Sequence, residues 1–264
     1  MTGRNSAVEA YTAALMRPEE GSSGLVAGLL TEDVVVQTNF GRAEGVEAAV
    51  ALLREPRTAG LLAAGARWSE PTANGDRVAV TADLPPTAPF GGLELVFDFA
   101  GDKIARVEQQ TMPAAPLTPR ALRLDAEIKA AVDGALDNQT PMLIAYLDDE
   151  LQIHLSFRGT IQAHSDDQLA LWAREPGGGL PRNIADRPHV TLFYHDPDRR
   201  TSYTFYGRAR VEHDPAARAT IFENSHPREQ HADFRRRGVA IVVDLDKIEG
   251  RAAGGRLLML RTTP

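Results

Sequence analysis

Cysteine is absent from the 264 residues. That excludes disulfides, thiolate metal sites and a cysteine nucleophile, and it agrees with a reducing, cytoplasmic location. No stretch approaches the ~18 consecutive apolar residues of a membrane span. The opening MTGRNSAVEA lacks the apolar core of a signal peptide, so no membrane partner is expected. Histidine is missing from the first 115 residues, and all seven histidines lie beyond them. Lysine is scarce: of 29 basic residues only Lys103, Lys129 and Lys247 are lysine. GxGxxG, Walker A, HExxH and GxSxG patterns are missing as well, which removes the usual signatures of dinucleotide, P-loop, zincin and serine-hydrolase chemistry. A net charge of −7 argues against a nucleic-acid partner, because a phosphate backbone attracts basic surfaces.

What is present divides in two. The segment Met112–Pro119 reads MPAAPLTP, a stiff proline-rich linker without periodicity. It predicts one domain over 1–113 and a second over 117–264. In the first, helical spacing runs through 6–30, with Val8, Tyr11, Leu15, Leu25, Leu29 and Leu30 as apolar positions. A strand at 34–38, a short helix at 46–53 and strands at 66–70, 77–84, 93–100 and 103–112 follow. Asn74-Gly75-Asp76 and Gly101-Asp102 supply hairpin turns. Helices first and hairpin-linked strands afterwards predict an α+β domain with helices on one curved antiparallel sheet. The segments LLTEDVVV (29–36), GRAEGVEAAV (41–50) and LVFDFAGDKIARVEQQ (95–110), in that order, resemble the SnoaL-like (nuclear transport factor 2-like) cone. That family hosts enzymes, ligand binders and dimerisation modules, so the likeness implies a fold and not an activity.

In the second domain an amphipathic helix is expected over 118–137 and a hairpin joins 141–147 to 151–162 through Asp148-Asp149-Glu150. Residues 167–174 read as a helix or a strand-to-helix corner, and 180–186 as a short helix. Strands follow at 189–195 and 202–213, then one helix over 216–237 ending at Gly238. Strands at 239–246 and 256–262 close the chain. His226, His231, His189 and His195 match no metal-ligand spacing, and no metal is expected. Arg235-Arg236-Arg237 reads as a solvated cap at that helix's end.

The strand at 151–162 is the most informative stretch. Side chains alternate faces, so Leu151, Ile153, Leu155, Phe157, Gly159 and Ile161 share one side, and Gln152, His154, Ser156, Arg158, Thr160 and Gln162 the other. Alternation alone admits a strand with its polar face in water. It equally admits a groove in which a guanidinium and two hydroxyls converge on an anion, with Gly159 permitting close backbone approach.

SFRGT (156–160), taken in order with LALWAR (169–174), GGGLPRNIA (177–185), RPHVTLFY (187–194), YTFYGRARV (203–211) and VAIVVDLDKIEG (239–250), resembles the pyridoxamine 5′-phosphate oxidase-like flavin/deazaflavin oxidoreductases over roughly 118–262. The resemblance implies a mainly β split barrel with flanking helices that binds FMN. It implies cofactor contacts from Ser156, Arg158, Thr160, Gln162, Trp172, Ala173, Arg174 and Arg182, with main chain around Phe157 and Gly159 at the ring edge. It also implies a homodimer with the flavin at the subunit seam, for which Tyr203, Phe205 and Tyr206 offer aromatic material. Ala173-Arg174 stands where many flavin-binding relatives carry a hydroxyl residue followed by lysine, which leaves FMN, a deazaflavin, haem and no cofactor open. The expected activity is flavin-dependent oxidation or reduction of a small organic molecule, with no catalytic side chain assigned. The rival expectation is a non-catalytic protein that binds flavin, haem or another small ligand.

Overall fold

The computed structural model describes residues 3–16, 22–54, 65–85, 88 and 90–262. Two compact units divide the chain between Pro116 and Leu117.

The first unit begins with helices α1 (Gly3–Leu15) and α2 (Ser22–Leu29); the helical stretch expected over 6–30 crosses residues 17–21, which lie outside the described residues. Leu30 already starts strand β1 (Leu30–Thr38). Strand β2 (Gly41–Glu44), helix α3 (Val46–Arg54) and strands β3 (Arg67–Trp68), β4 (Thr72–Asn74), β5 (Arg77–Asp83), β6 (Gly92–Ala100) and β7 (Lys103–Met112) complete it. The sheet order is β2-β1-β7-β6-β5-β3, with β4 beside β5, and β1 runs parallel to β7. The two expected hairpin turns hold because Gly75 and Gly101 adopt φ of 63° and 65°, where a side chain would strain the backbone. A bulge between Asp98 and Phe99 inserts one residue, so Ile104 and Val107 both point inward although they lie three apart. Val8 and Tyr11 of α1 pack on that inner face, with the Tyr11 ring edge-on to Phe97 at 5.2 Å. Burial pushes the Tyr11 phenol well above its ordinary value, since no charge can be hydrated there.

The second unit is a nine-stranded sheet system. Its elements are β8 (Arg120–Ala121), α4 (Ala126–Asp133), β9 (Met142–Leu147), β10 (Ile153–Arg158), β11 (Gln162–Ala163), β12 (Gln168–Ala173), α5 (Gly179–Asn183), β13 (His189–Asp196), β14 (Thr201–Val211), α6 (Pro215–Asn224), α7 (Pro227–Ala232), β15 (Val239–Ala252) and β16 (Gly255–Leu260). The path is β10-β9-β13-β14-β15-β12-β11, with β16 beside β15 and β8 parallel to β16. One core gathers Ile144, Leu171, Leu192, Phe205 and Val243; a smaller one, on the other face of β12 and β15, gathers Trp172, Ile221, Phe222 and Val242.

Several local expectations are corrected. The helix expected over 118–137 shrinks to α4, because 120–121 pair with β16 and Asp125 caps the helix by accepting the Ile128 N–H at 3.0 Å. The segment 167–174 is strand, hydrogen-bonded along β15. The single helix expected over 216–237 is two: Pro227 cannot donate to a preceding turn, and His226 caps the new helix by accepting the Arg228 N–H on Nδ1. Arg235–Arg237 therefore lie beyond α7, in a turn whose Arg236 has φ 52°. Tyr203 and Phe205 are core residues, 1% and 0% exposed, and offer no interface surface; Tyr206 is half-buried and donates to Glu249, which helps push its phenol up to about 12. Among the described residues no helix is long and apolar enough to cross a membrane.

Candidate functional site

Strand β10 is the edge of its sheet, paired only with β9. Its alternation is as expected, but the apolar side faces solvent: Ile153, Leu155 and Phe157 are 76%, 58% and 69% exposed. On the polar side His154 is exposed, while Ser156 and Arg158 are half-buried. His154 sits opposite Tyr146, Ser156 opposite Ile144 and Arg158 opposite Met142, all three partners buried. The polar row is therefore solvated at Gln152 and His154 and half-buried at Ser156 and Arg158.

Beneath that row lies a cavity of about 610 Å3, a size common for small-molecule sites. His154 and Arg158 of β10 line it, with Tyr146 of β9, Ala173 and Arg174 at the end of β12, and Leu180 and Arg182 of α5. Gly179 lets α5 approach, because a Cβ there would stand 2.7 Å from the Tyr146 hydroxyl. The Tyr146 and His154 rings lie 4.9 Å apart. Burial pushes the Tyr146 phenol up, while the nearby Arg158 and Arg182 charges pull it down.

Asn183 Oδ1 on the cavity lining is buried without a hydrogen-bond partner, and so are two donors, the Ser156 hydroxyl and Arg158 Nε. Leaving such groups unpaired costs about 1–3 kcal/mol each, more for a charged one, so the two donors are poised for an acceptor the chain does not provide. The other cations are partly engaged. Arg174 Nε lies 3.1 Å from Glu229 and Arg182 lies 3.3 Å from Asp149, with both arginine side chains about 60% exposed. The Arg182–Asp149 pair is exposed on both sides and weakly held, whereas Glu229 is buried and releases Arg174 only if another cation or donor takes its place.

Of the ten residues singled out in the sequence, the cavity brings together Arg158, Ala173, Arg174 and Arg182, with Ser156 between two lining positions of its strand. Thr160 instead donates to Glu229 at 3.2 Å, and Gln162 is buried and donates to the Ile221 carbonyl at 2.8 Å. Gly159 packs against Leu136. Phe157 points away on the exposed apolar face. Trp172 points away too: its indole N–H donates to Asp233 at 2.9 Å within the smaller core. Asp233 also accepts the Arg237 and Gly238 N–H groups. Burial opposes its charge, but these hydrogen bonds outweigh it and hold the carboxyl below its usual range. Tyr146 and Glu229 were not singled out. Hairpin register about Asp148-Asp149-Glu150 would have placed Tyr146 beside His154, whereas Glu229 arrives from a distant helix with no local signal. Among the described residues, no group of three or more histidine or carboxylate side chains could hold a metal.

No protein-family profile matches the sequence, and no curated protein matches it. Solved structures do resemble parts of the chain. HupZ of Group A Streptococcus is 17% identical, covering 50% of this chain and 97% of that one with a TM-score of 0.38. A Clostridium acetobutylicum protein related to general stress protein 26, of the pyridoxinephosphate oxidase family, is 7% identical over 48% of this chain and 90% of its own, TM-score 0.38. A SnoaL-like family protein of Agrobacterium tumefaciens is 20% identical over 42% and 98%, TM-score 0.35.

Proposed function

We propose that the C-terminal unit is a split-barrel flavin-binding domain and that the protein is a flavin-dependent oxidoreductase for a small organic molecule. In this reading the N-terminal unit, a SnoaL-like cone, assists substrate binding or dimerisation. The observation that carries the proposal is the pair of buried, unpartnered polar atoms on Ser156 and Arg158 beside a ligand-sized cavity.

The donor set suits a flavin phosphate: Arg158, Arg174 and Arg182 supply guanidinium groups and Ser156 a hydroxyl. Leu180 and the Tyr146 and His154 rings offer less polar wall for a flat ring system. FMN, or a deazaflavin in its place, would carry the hydride or electrons. The chain's own part is to bind and orient it, with Arg174 exchanging Glu229 for the phosphate. The exposed row Ile153, Leu155 and Phe157 supports a homodimer, because water is excluded from that apolar face only when something covers it. The absence of cysteine keeps a cytoplasmic setting within the proposal.

A second reading, non-catalytic binding of haem or another ligand, is favoured by one feature: His154 offers an imidazole to the cavity. The absorbance of purified protein separates the two, with flavin bands near ~370 and ~450 nm against a haem Soret band. FMN and riboflavin titrations then test the site. If Arg158 holds the phosphate, Arg158→Ala weakens FMN roughly ten- to a hundredfold and leaves riboflavin unchanged. Equal FMN affinity in wild type and variant refutes the phosphate assignment.

A further inference from the structure

Helix α5 brings to the cavity wall a buried group that holding a phosphate does not use. Asn183 lines the cavity and is 2% exposed. Its amide nitrogen donates to the Gly179 carbonyl, one helical turn back, at 2.8 Å. That bond fixes which way the amide points, because exchanging its oxygen and nitrogen would set two carbonyl oxygens against each other. Oδ1 is therefore an acceptor held in place, buried and without a donor, and a ligand N–H or O–H would relieve it. An ionised phosphate or carboxylate cannot, since such groups only accept. A haem cannot either: its propionates accept and the iron takes its ring nitrogens.

Beside this acceptor stands a donor. A Cβ on Gly179 would lie 2.7 Å from the Tyr146 hydroxyl and 3.9 Å from the Asn183 amide nitrogen, so the two side chains flank one point of the wall. Burial pushes the Tyr146 phenol up, so at neutral pH it keeps its proton and donates. An acceptor next to a donor is the complement of a ring amide or imide edge, where an N–H adjoins a C=O. Flavins and deazaflavins carry such an edge on the pyrimidine side of the ring system, with N3–H between two carbonyls.

We propose that Asn183 Oδ1 accepts the N3–H of a bound flavin or deazaflavin while Tyr146 donates to a neighbouring ring carbonyl, which sets the pyrimidine edge against α5. The assignment rests on the flavin reading of this cavity and adds the edge by which the ring is read. A site built to hydrogen-bond a ligand N–H discriminates against an analogue that lacks it, because its own buried group is then left unpaired.

Fluorescence titration of the full chain with FMN and with N3-methyl FMN tests it. Wild type should bind FMN roughly five- to 150-fold more tightly. The methyl group adds bulk as well as removing the N–H, and Asn183→Ala separates the two effects by making room while deleting the acceptor. In that variant FMN should weaken by about the same factor and the preference should vanish. Isotope-labelled FMN on wild type supplies a measurement that needs no variant: its N3 proton should exchange with water more slowly than in unbound FMN. Equal affinity of wild type for the two ligands overturns the assignment and leaves the flavin reading standing. So does a preference that persists undiminished in a folded Asn183→Ala, or an N3 proton that exchanges as fast as in solution. Absence of saturable binding by either ligand overturns the flavin reading, and this assignment with it.

Discussion

Replacing Leu155 by aspartate probes the exposed apolar row of β10 at its centre. Leu155 is 58% exposed, flanked on its own face by Ile153 and Phe157, with Ala145 opposite on β9. Full burial of such a side chain is worth about 1.5–3 kcal/mol. With more than half of it uncovered in the monomer, covering it in a dimer returns about 1–2 kcal/mol. A twofold interface uses the residue twice, so Leu155→Asp should weaken dimerisation by about 2–4 kcal/mol, roughly 30- to 700-fold. Desolvating the new carboxylate adds to that figure. The monomer fold should tolerate the change within about 0.5 kcal/mol, because the side chain belongs to neither core. Sedimentation equilibrium across a concentration series measures the dimer constant, and denaturant unfolding measures the monomer's stability. The reasoning fails if wild type sediments as a 28.6 kDa particle at tens of micromolar, or if the variant dimerises as tightly as wild type.

Other consequences concern the smaller core and the two units. Trp172→Phe deprives Asp233 of one donor and leaves a smaller ring in the core, so the C-terminal unit should lose at least about 1–3 kcal/mol in denaturant unfolding. Asp233 has a lowered folded-state pKa, so its stabilisation is complete above its unfolded value of about 3.9 and fades as pH falls below it. Asp233→Asn should lower stability at neutral pH and flatten the acid-side decline below about pH 4; an unaltered decline would show that Asp233 is not its source. Gly238→Ala places a Cβ 2.4 Å from the Ala173 carbonyl and 2.5 Å from the Trp172 indole nitrogen, and should cost about 1–3 kcal/mol by forcing that strand end apart. Fragments 1–116 and 117–264 should each melt cooperatively, since each holds its own core; a non-cooperative melt of both would contradict their independence.

Much of the architecture follows from local chemistry. Gly75 and Gly101 end strands because the turns need positive φ, and the prolines of 113–119 stop periodic structure between two element sets. The period-two pattern of 153–158 reads as a strand from the local sequence alone. Which side of that strand meets water is a different matter. Alternation is symmetric, and the same residues serve a polar-out or an apolar-out strand; only the placement of β10 at a sheet edge beside Tyr146 turned Ser156 and Arg158 inward. Trp172 shows the same limit. One step along β12 separates a residue on the cavity side, Ala173, from one in the opposite core, and with 167–174 read as a possible helix that step had no defined direction. The helix expected over 216–237 was broken by Pro227, whose missing N–H was legible in the sequence, whereas the hydrogen bond from Trp172 to Asp233 joins residues 61 apart in the chain. A row of residues across four strands is the clearest case. His195, Ser202, Arg251 and Arg256 come from four strands, and no spacing in the sequence relates them, because their adjacency exists only through the hydrogen-bonded registers of two successive hairpins and the strand pair between them.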